Sequence, residues 1–227
     1  MLWEKLFIFR YEHLKQVRII QFEIESYTKI WDLQRQLQQQ VIEKRSDSYL
    51  ILTQHHPVIT LGKSGTHENL LLSKEELDKK KIQFYEIDRG GDITYHGPGQ
   101  LVGYPIMNLD HFKKDIHWYL RNLEQIIIDT LQEFALQARR IEGFTGVWIG
   151  NKKICAMGIK TTKWVTMHGF ALNINTDLTA FQSIIPCGIQ HKSITSLSEE
   201  VGNIISIEEV IKILLQKFSK IFGVTTV

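Results

Sequence analysis

An α+β fold, a mixed β-sheet covered by helices, is what the sequence predicts. Three observations support it. Apolar residues recur at helical spacing in three long segments, and strand-like runs lie between those segments. Two of the runs, residues 147–149 and 153–160, are separated only by Gly150-Asn151-Lys152, where Gly150-Asn151 reads as a hairpin turn and the gap is too short for a crossover helix. With 227 residues, 43% of them hydrophobic, the chain can bury a full core, and one domain over residues 1–227 is expected.

The elements follow in order. Residues 18–25 read as a strand, and Ser26 can cap the helix after it. Tyr27, Ile30, Trp31, Leu37 and Val41 form the apolar stripe of that helix, with glutamines expected on its outer face. Residues 49–53 and 58–61 read as two strand pieces parted by His55-His56-Pro57. Ser73-Lys-Glu-Glu76 is a capping box opening a short charged helix, and residues 82–87 form a strand running into Arg89. Asp115 caps a long helix expected to reach about residue 139, with Ile116, Leu120, Leu123, Ile127, Leu131 and Phe134 as its inner stripe. After the hairpin, residues 170–174 are strand-like. A second capping box, Ser206 to Glu209, starts a last helix that stops at Gly223.

Composition narrows the function classes. A net charge of +2 is too balanced for a nucleic-acid footprint, which needs basic residues gathered on one face. No apolar run approaches the roughly 18 residues of a membrane span, and Met1-Leu-Trp-Glu-Lys lacks the layout of a signal peptide. With two cysteines, Cys155 and Cys187, a disulfide scaffold is not expected and a cytoplasmic setting is. No metal is expected either. His55 and His56 are adjacent, so they point oppositely in a strand, and no cysteine or carboxylate cluster accompanies them.

The segment that stands apart is Arg89-Gly-Gly-Asp-Ile-Thr-Tyr-His96-Gly-Pro-Gly-Gln100-Leu-Val-Gly-Tyr-Pro105. Its glycines allow the backbone to approach a ligand without an intervening Cβ, and its prolines stiffen the path, so it reads as a cavity wall beginning at a strand end. The glycine spacing fits neither the dinucleotide fingerprint nor the phosphate-binding loop. Far along the chain, Pro186-Cys187-Gly188 places a thiol in a turn, and Lys153 supplies an amine. Thiol, amine and glycine wall together suggest acyl transfer. Cys155, embedded in Ile154-Cys-Ala-Met157, reads as a small buried hydrophobe.

These residues resemble the signature of the octanoyltransferases of lipoate biosynthesis, and three further segments agree in order and spacing. They are Gly150-Asn-Lys-Lys153-Ile-Cys-Ala-Met-Gly158, His168-Gly169-Phe-Ala-Leu-Asn173 and Pro186-Cys187-Gly188-Ile189. The resemblance implies the fold of the biotin and lipoate protein ligases. It also implies transfer of an octanoyl group from octanoyl-acyl carrier protein to a lysine on lipoyl domains of 2-oxoacid dehydrogenase E2 subunits and on the glycine cleavage H protein, with no cofactor, no ATP, no nucleic acid and no membrane. Cys187 is implied as the nucleophile that carries the acyl group as a thioester, with Lys153 beside it as the proton-handling group. Implied to line the acyl site are Arg89, Gly90, Gly91, Asp92, Ile93, Thr94, Tyr95 and His96 of the first segment, Ala156, Met157 and Gly158 of the second, and Gly169, Phe170 and Ala171 of the third. His96 is expected to take a polar role in the pocket, such as orienting the thioester carbonyl, and Tyr95, Met157 and Phe170 are candidates to line an apolar tunnel. Alternation along a strand would put Lys153, Cys155 and Met157 on one face. Two other readings compete: an ATP-dependent lipoate or biotin protein ligase, which would show three glycines in its arginine motif and a lysine for the adenylate, and a non-catalytic acyl-binding module.

Overall fold

The computed structural model describes residues 15–44, 48–185 and 193–227. Strand β1 (Lys15–Glu25) leads through Ser26 into helix α1 (Tyr27–Ile42), and the Ser26 hydroxyl accepts the Lys29 N–H as the expected cap. Strands β2 (Ser48–His55) and β3 (Val58–Leu61) follow. Helix α2 (Lys74–Lys80) opens on the Ser73–Glu76 capping box, with both reciprocal bonds formed, and strands β4 (Gln83–Glu86), β5 (Ile93–His96) and β6 (Gln100–Ile106) come next. Helix α3 (Ile116–Gln132) is capped by Asp115.

The hairpin of β8 (Phe144–Ile149) and β9 (Lys152–Thr162) forms as the sequence indicates, preceded by β7 (Ala138–Ile141) and followed by β10 (Val165–Asn173). Short elements β11 (Ser193–Ile194) and α4 (Leu197–Val201) precede helix α5 (Ile207–Phe222), which ends at left-handed Gly223 before β12 (Val224–Thr226). Ser206 caps α5 by accepting the Glu209 N–H.

The main sheet runs β12-β1-β2-β6-β10-β9-β8-β7, with β11 pairing β9. It is mixed. β1 lies parallel to β12 and β2, whereas the steps from β2 through β7 are antiparallel. Helix α1 covers one face, packing Ile30, Leu37 and Val41 on Ile51, Val102, Tyr104 and Ala171. Helices α3 and α5 cover the other, where Leu123, Ile127, Leu214 and Phe218 meet Leu50, Leu52, Leu101 and Leu172. Each fully buried aliphatic side chain contributes about 1.5–3 kcal/mol, and burial on both faces explains why β2 reads as an unbroken apolar run rather than an alternation. A small sheet, β4-β3-β5, stands beside the main one and anchors both ends of the glycine-bearing loop, residues 87–92.

Three expectations are corrected. Helix α3 stops at Gln132 rather than near residue 139, because Ala135 takes φ +59° and the chain turns into β7. The apolar period continues through Phe134 and conceals that turn. Gln34 and Gln38 do not lie on the outer face of α1; both are buried, and their amides reach β10, where Gln34 Oε1 accepts the His168 N–H at 3.0 Å and Gln38 Nε2 donates to the Val165 carbonyl at 2.9 Å. Finally, the β8–β9 ladder slips by one residue, pairing Val147 with Cys155 but Trp148 with Lys153. That bulge at Ile154 breaks the alternation. Ile154 and Cys155 both enter the α3/α5 core, while Lys153 turns to a cavity.

Candidate active site

A cavity of about 630 Å³ opens where β6, β9 and β10 meet the loop after β4 and the start of α3. The loop forms one wall. Its backbone is wedged between two glycines: a Cβ on Gly62 would sit 2.3 Å from the Gly91 carbonyl oxygen, and one on Gly158 would sit 2.6 Å from that of Gly90. Only residues lacking Cβ permit that stacking. The Gly90 N–H donates to the Ile159 carbonyl at 2.9 Å and ties the wall to β9.

Arg89 lines the cavity but is largely buried, donating to the Thr60 carbonyl and hydroxyl at 2.9 and 3.0 Å and to the Gly90 carbonyl at 3.1 Å. It braces the wall. Asp92 likewise lines it while accepting from Asn69 Nδ2 at 2.7 Å and from the Ile93 N–H at 2.6 Å.

Gly90, Gly91, Ile93, Thr94 and His96 also line the cavity, and the same segment adds Gln100, Val102 and Tyr104 from β6. Ala156, Met157 and Gly158 contribute from β9, and Gly169, Phe170 and Ala171 from β10. Tyr95 departs from the expectation. It alternates away from Thr94 and His96, its ring packs edge-on to Phe181 at 5.5 Å, and it is not among the lining residues. The Phe170 ring lies over Gly103, where a Cβ would come within 2.2 Å of it.

His96 sits at the head of a buried amide chain. Gln100 Nε2 donates to the Tyr95 carbonyl at 3.2 Å and to Asn173 Oδ1 at 2.9 Å, and Asn173 Nδ2 donates to the Thr195 carbonyl at 3.0 Å. Carbonyl oxygens only accept, so both amide orientations are set. Gln100 Oε1 must therefore accept from His96 Nδ1–H, at 2.8 Å. The chain continues through the Thr195 N–H to the Lys153 carbonyl at 3.0 Å.

In this tautomer His96 Nε2 is an acceptor. Orienting a thioester carbonyl requires a donor, so that expected role is corrected: the nitrogen suits an N–H or S–H partner instead. Burial pushes His96 down to about 3, and the neighbouring His55 to about 4, which keeps both neutral.

Lys153 is 9% exposed and lines the cavity, with its ammonium nitrogen 4.8 Å from the centre of the Trp148 ring. Lys152 turns the other way to pair with Glu200 at 2.5 Å. Cys155 is completely buried, and desolvation pushes its thiol well above the ordinary range, so it is an inert packing group. Cys187 lies outside the described residues. The described chain on either side of it is tied down near the cavity: the Ile185 N–H donates to Asn69 at 2.8 Å, and Ile194, which lines the cavity, pairs with Lys153.

Several residues had no sequence signal strong enough to select them. Tyr27 lines the cavity and stacks on His96 at 6.1 Å and 7°. His55 stands behind them, donating from Nδ1 to the Glu25 carbonyl at 2.9 Å and accepting from the Tyr104 hydroxyl at 2.7 Å. Asp88 joins His168 Nε2, at 2.9 Å, to Lys160. That carboxyl is held well below the usual range, first by the bond from His168. Gln100, Asn173 and Asp88 lie inside or next to the glycine segments, so proximity to them was the signal available. Among the described residues, no cluster of three His, Cys, Asp or Glu side chains is placed to hold a metal ion, and no helix is long and apolar enough to cross a membrane.

Comparison with known proteins bears on this arrangement. The model of the lipoyl protein ligase A/B catalytic domain family matches residues 26–219. The chain belongs to that family. Among relatives of this lipoyl protein ligase A/B domain, the octanoyltransferase of Christiangramia forsetii is 47% identical over 225 residues, covering 92% of this chain and 96% of the relative. That of Clostridium kluyveri is 46% identical, covering 87% and 84%.

Solved structures share the fold of the domain at low identity. A bi-partite lipoate protein ligase and E2 lipoyl domain structure from Thermoplasma acidophilum matches with a TM-score of 0.72 at 17% identity, covering 95% of this chain and 88% of that one. A biotin protein ligase from Aquifex aeolicus matches with a TM-score of 0.55 at 15%, covering 91% and 70%. The α+β, ligase-like architecture expected from the sequence is thus the one observed.

Proposed function

We propose that this chain, as one catalytic domain in the cytoplasm, moves an octanoyl group from octanoyl-acyl carrier protein to a lysine of lipoyl domains, on E2 subunits and the glycine cleavage H protein, through a thioester on Cys187. Octanoyl transfer in protein lipoylation is the activity of its family relatives and of this chain. The carrier-protein donor, the acceptor proteins and the covalent intermediate are the finer part of the reading. What carries that part is Lys153: a desolvated amine in a glycine-walled cavity, hydrogen-bonded through its backbone to the strand that follows Cys187.

In the first half-reaction the Cys187 thiolate, favoured by a neighbouring ammonium, attacks the octanoyl thioester, and the carrier thiol leaves with a proton from Lys153. In the second, the acceptor lysine's neutral amine attacks the Cys187 thioester. Lys153, now an uncharged amine, takes the proton that the new amide sheds, and the thiolate is restored. One thioester replaces another at little cost, and amide formation drives the sequence without nucleotide. The chain's Phe170, Met157 and Val102 offer apolar surface to the acyl tail, at about 0.8 kcal/mol per buried CH₂.

The test is intact-mass analysis after mixing with octanoyl-acyl carrier protein. One octanoyl adduct on Cys187, its transfer to a lipoyl domain without nucleotide, and loss of transfer in Lys153→Ala are expected. An adduct on Cys155, or transfer that requires ATP, would overturn the reading, the latter in favour of a ligase.

A further inference from the structure

We infer that Trp148 is a positioning residue for the reaction, its indole face holding the Lys153 ammonium at the cavity while Glu124 secures the strand that presents that face. The inference rests on the proposed role of Lys153. The bulge at Ile154 makes Trp148 and Lys153 a direct cross-strand pair, and the lysine nitrogen stands 4.8 Å from the ring centre. The ring is itself immobilised, 1% exposed and held edge-on by Phe144 at 6.1 Å. A cation is attracted to an aromatic face most strongly where both are desolvated, and Lys153 is 9% exposed. Without such a platform, a lysine stem has many rotamers, and few of them point the amine at a reacting atom.

Glu124 on α3 is fully buried. Its Oε1 accepts the Gly146 N–H at 3.0 Å, and Oε2 accepts from Arg121 at 2.6 Å and Arg140 at 2.9 Å. Gly146 lies two residues before Trp148, at φ +120°, where a Cβ would come 2.5 Å from the Cys155 carbonyl oxygen and 3.7 Å from Lys153 Cε. So the buried carboxylate pins β8 at a point beside the lysine stem. It takes no part in lining the cavity.

The decisive experiment replaces Trp148 in the full chain by mono-, di- and trifluorotryptophan, which keep the ring's shape but drain charge from its face. Single-turnover octanoyl transfer is expected to fall stepwise with each fluorine, by about tenfold over the series, with KM for the acceptor domain and the melting temperature unchanged. Trp148→Phe should retain more activity than Trp148→Leu, and Glu124→Gln should lower kcat with KM unchanged. A flat fluorine series beside an inactive Lys153→Ala enzyme would overturn this inference alone. Near-normal transfer by Lys153→Ala would overturn the role of the lysine and the inference with it. The isosteric series remains decisive even if Trp148→Leu fails to fold.

Discussion

Lowering the pH from 7.5 to 5 is expected to weaken the native state by about 4 kcal/mol through His55 and His96. Burial holds them near 4 and 3, against an ordinary 6.5. Both are therefore neutral in the folded protein, with Nδ1–H given to the Glu25 carbonyl and to Gln100 Oε1. Unfolding returns each to water as an ordinary imidazole, so below pH 6.5 the unfolded chain binds more protons and stability falls. The contribution is complete above 6.5 and is lost progressively as the pH drops toward the folded values. Each pH unit is worth about 1.36 kcal/mol per group, and about 1.5 units separate 6.5 from 5, which gives about 2 kcal/mol for each histidine.

His168 is also shifted downward by burial, against the opposing pull of Asp88. Asp88 itself, held below its ordinary 3.8, acts only in a more acidic window. Urea unfolding at pH 7.5, 6.5, 5.5 and 5, followed by tryptophan fluorescence, measures the loss. His55→Gln and His96→Gln should each remove about half of the pH dependence, whatever they do to stability at pH 7.5. If the doubly substituted protein lost as much stability on acidification as the parent, the assignment of neutral buried histidines would be wrong.

Other substitutions test separate parts of the site. Tyr104→Phe leaves His55 Nε2 buried without its donor, and a loss of about 1–3 kcal/mol in denaturant titration is expected; an unchanged midpoint would mean water fills the gap. Gly158→Ala would place a Cβ 2.6 Å from the Gly90 carbonyl oxygen and push the glycine wall off β9, so transfer should drop by about 100-fold with the fold retained by circular dichroism, and normal turnover would show that the wall's position is not critical. Cys155→Ala should transfer octanoyl groups at the parent rate, because that thiol is fully enclosed by the core; a large loss would give it a role beyond packing.

Much of the fold is legible locally. The caps at Ser26, Ser73, Asp115 and Ser206, the Gly150-Asn151 turn and the stop at Gly223 are each a residue type matched to a backbone need within a few positions, so no distant partner is required to read them. The end of α3 was not legible. Its apolar period continues through Phe134, past the last helical residue Gln132 and up to the turn at Ala135, and only the docking of β7 on β8 shows why the helix stops. Gln34 and Gln38 escape the pattern because a helical stripe measures hydrophobicity, whereas these amides are buried to serve polar groups on β10.

By itself, the sequence determined the kind of chemistry. Glycines that permit close backbone stacking, a lysine beside an apolar run and a cysteine set between proline and glycine are covalent facts, and their order along the chain carries the family likeness. What the tertiary structure alone decided is protonation and direction. Whether His96 offers a donor or an acceptor depends on Gln100, Asn173 and Thr195, brought together from β6, β10 and the end of β11. Which way Lys153 faces depends on a one-residue slip against β8. Hydrogen-bond polarity and strand register are relations between segments far apart in the chain, and they acquire values only once those segments are packed.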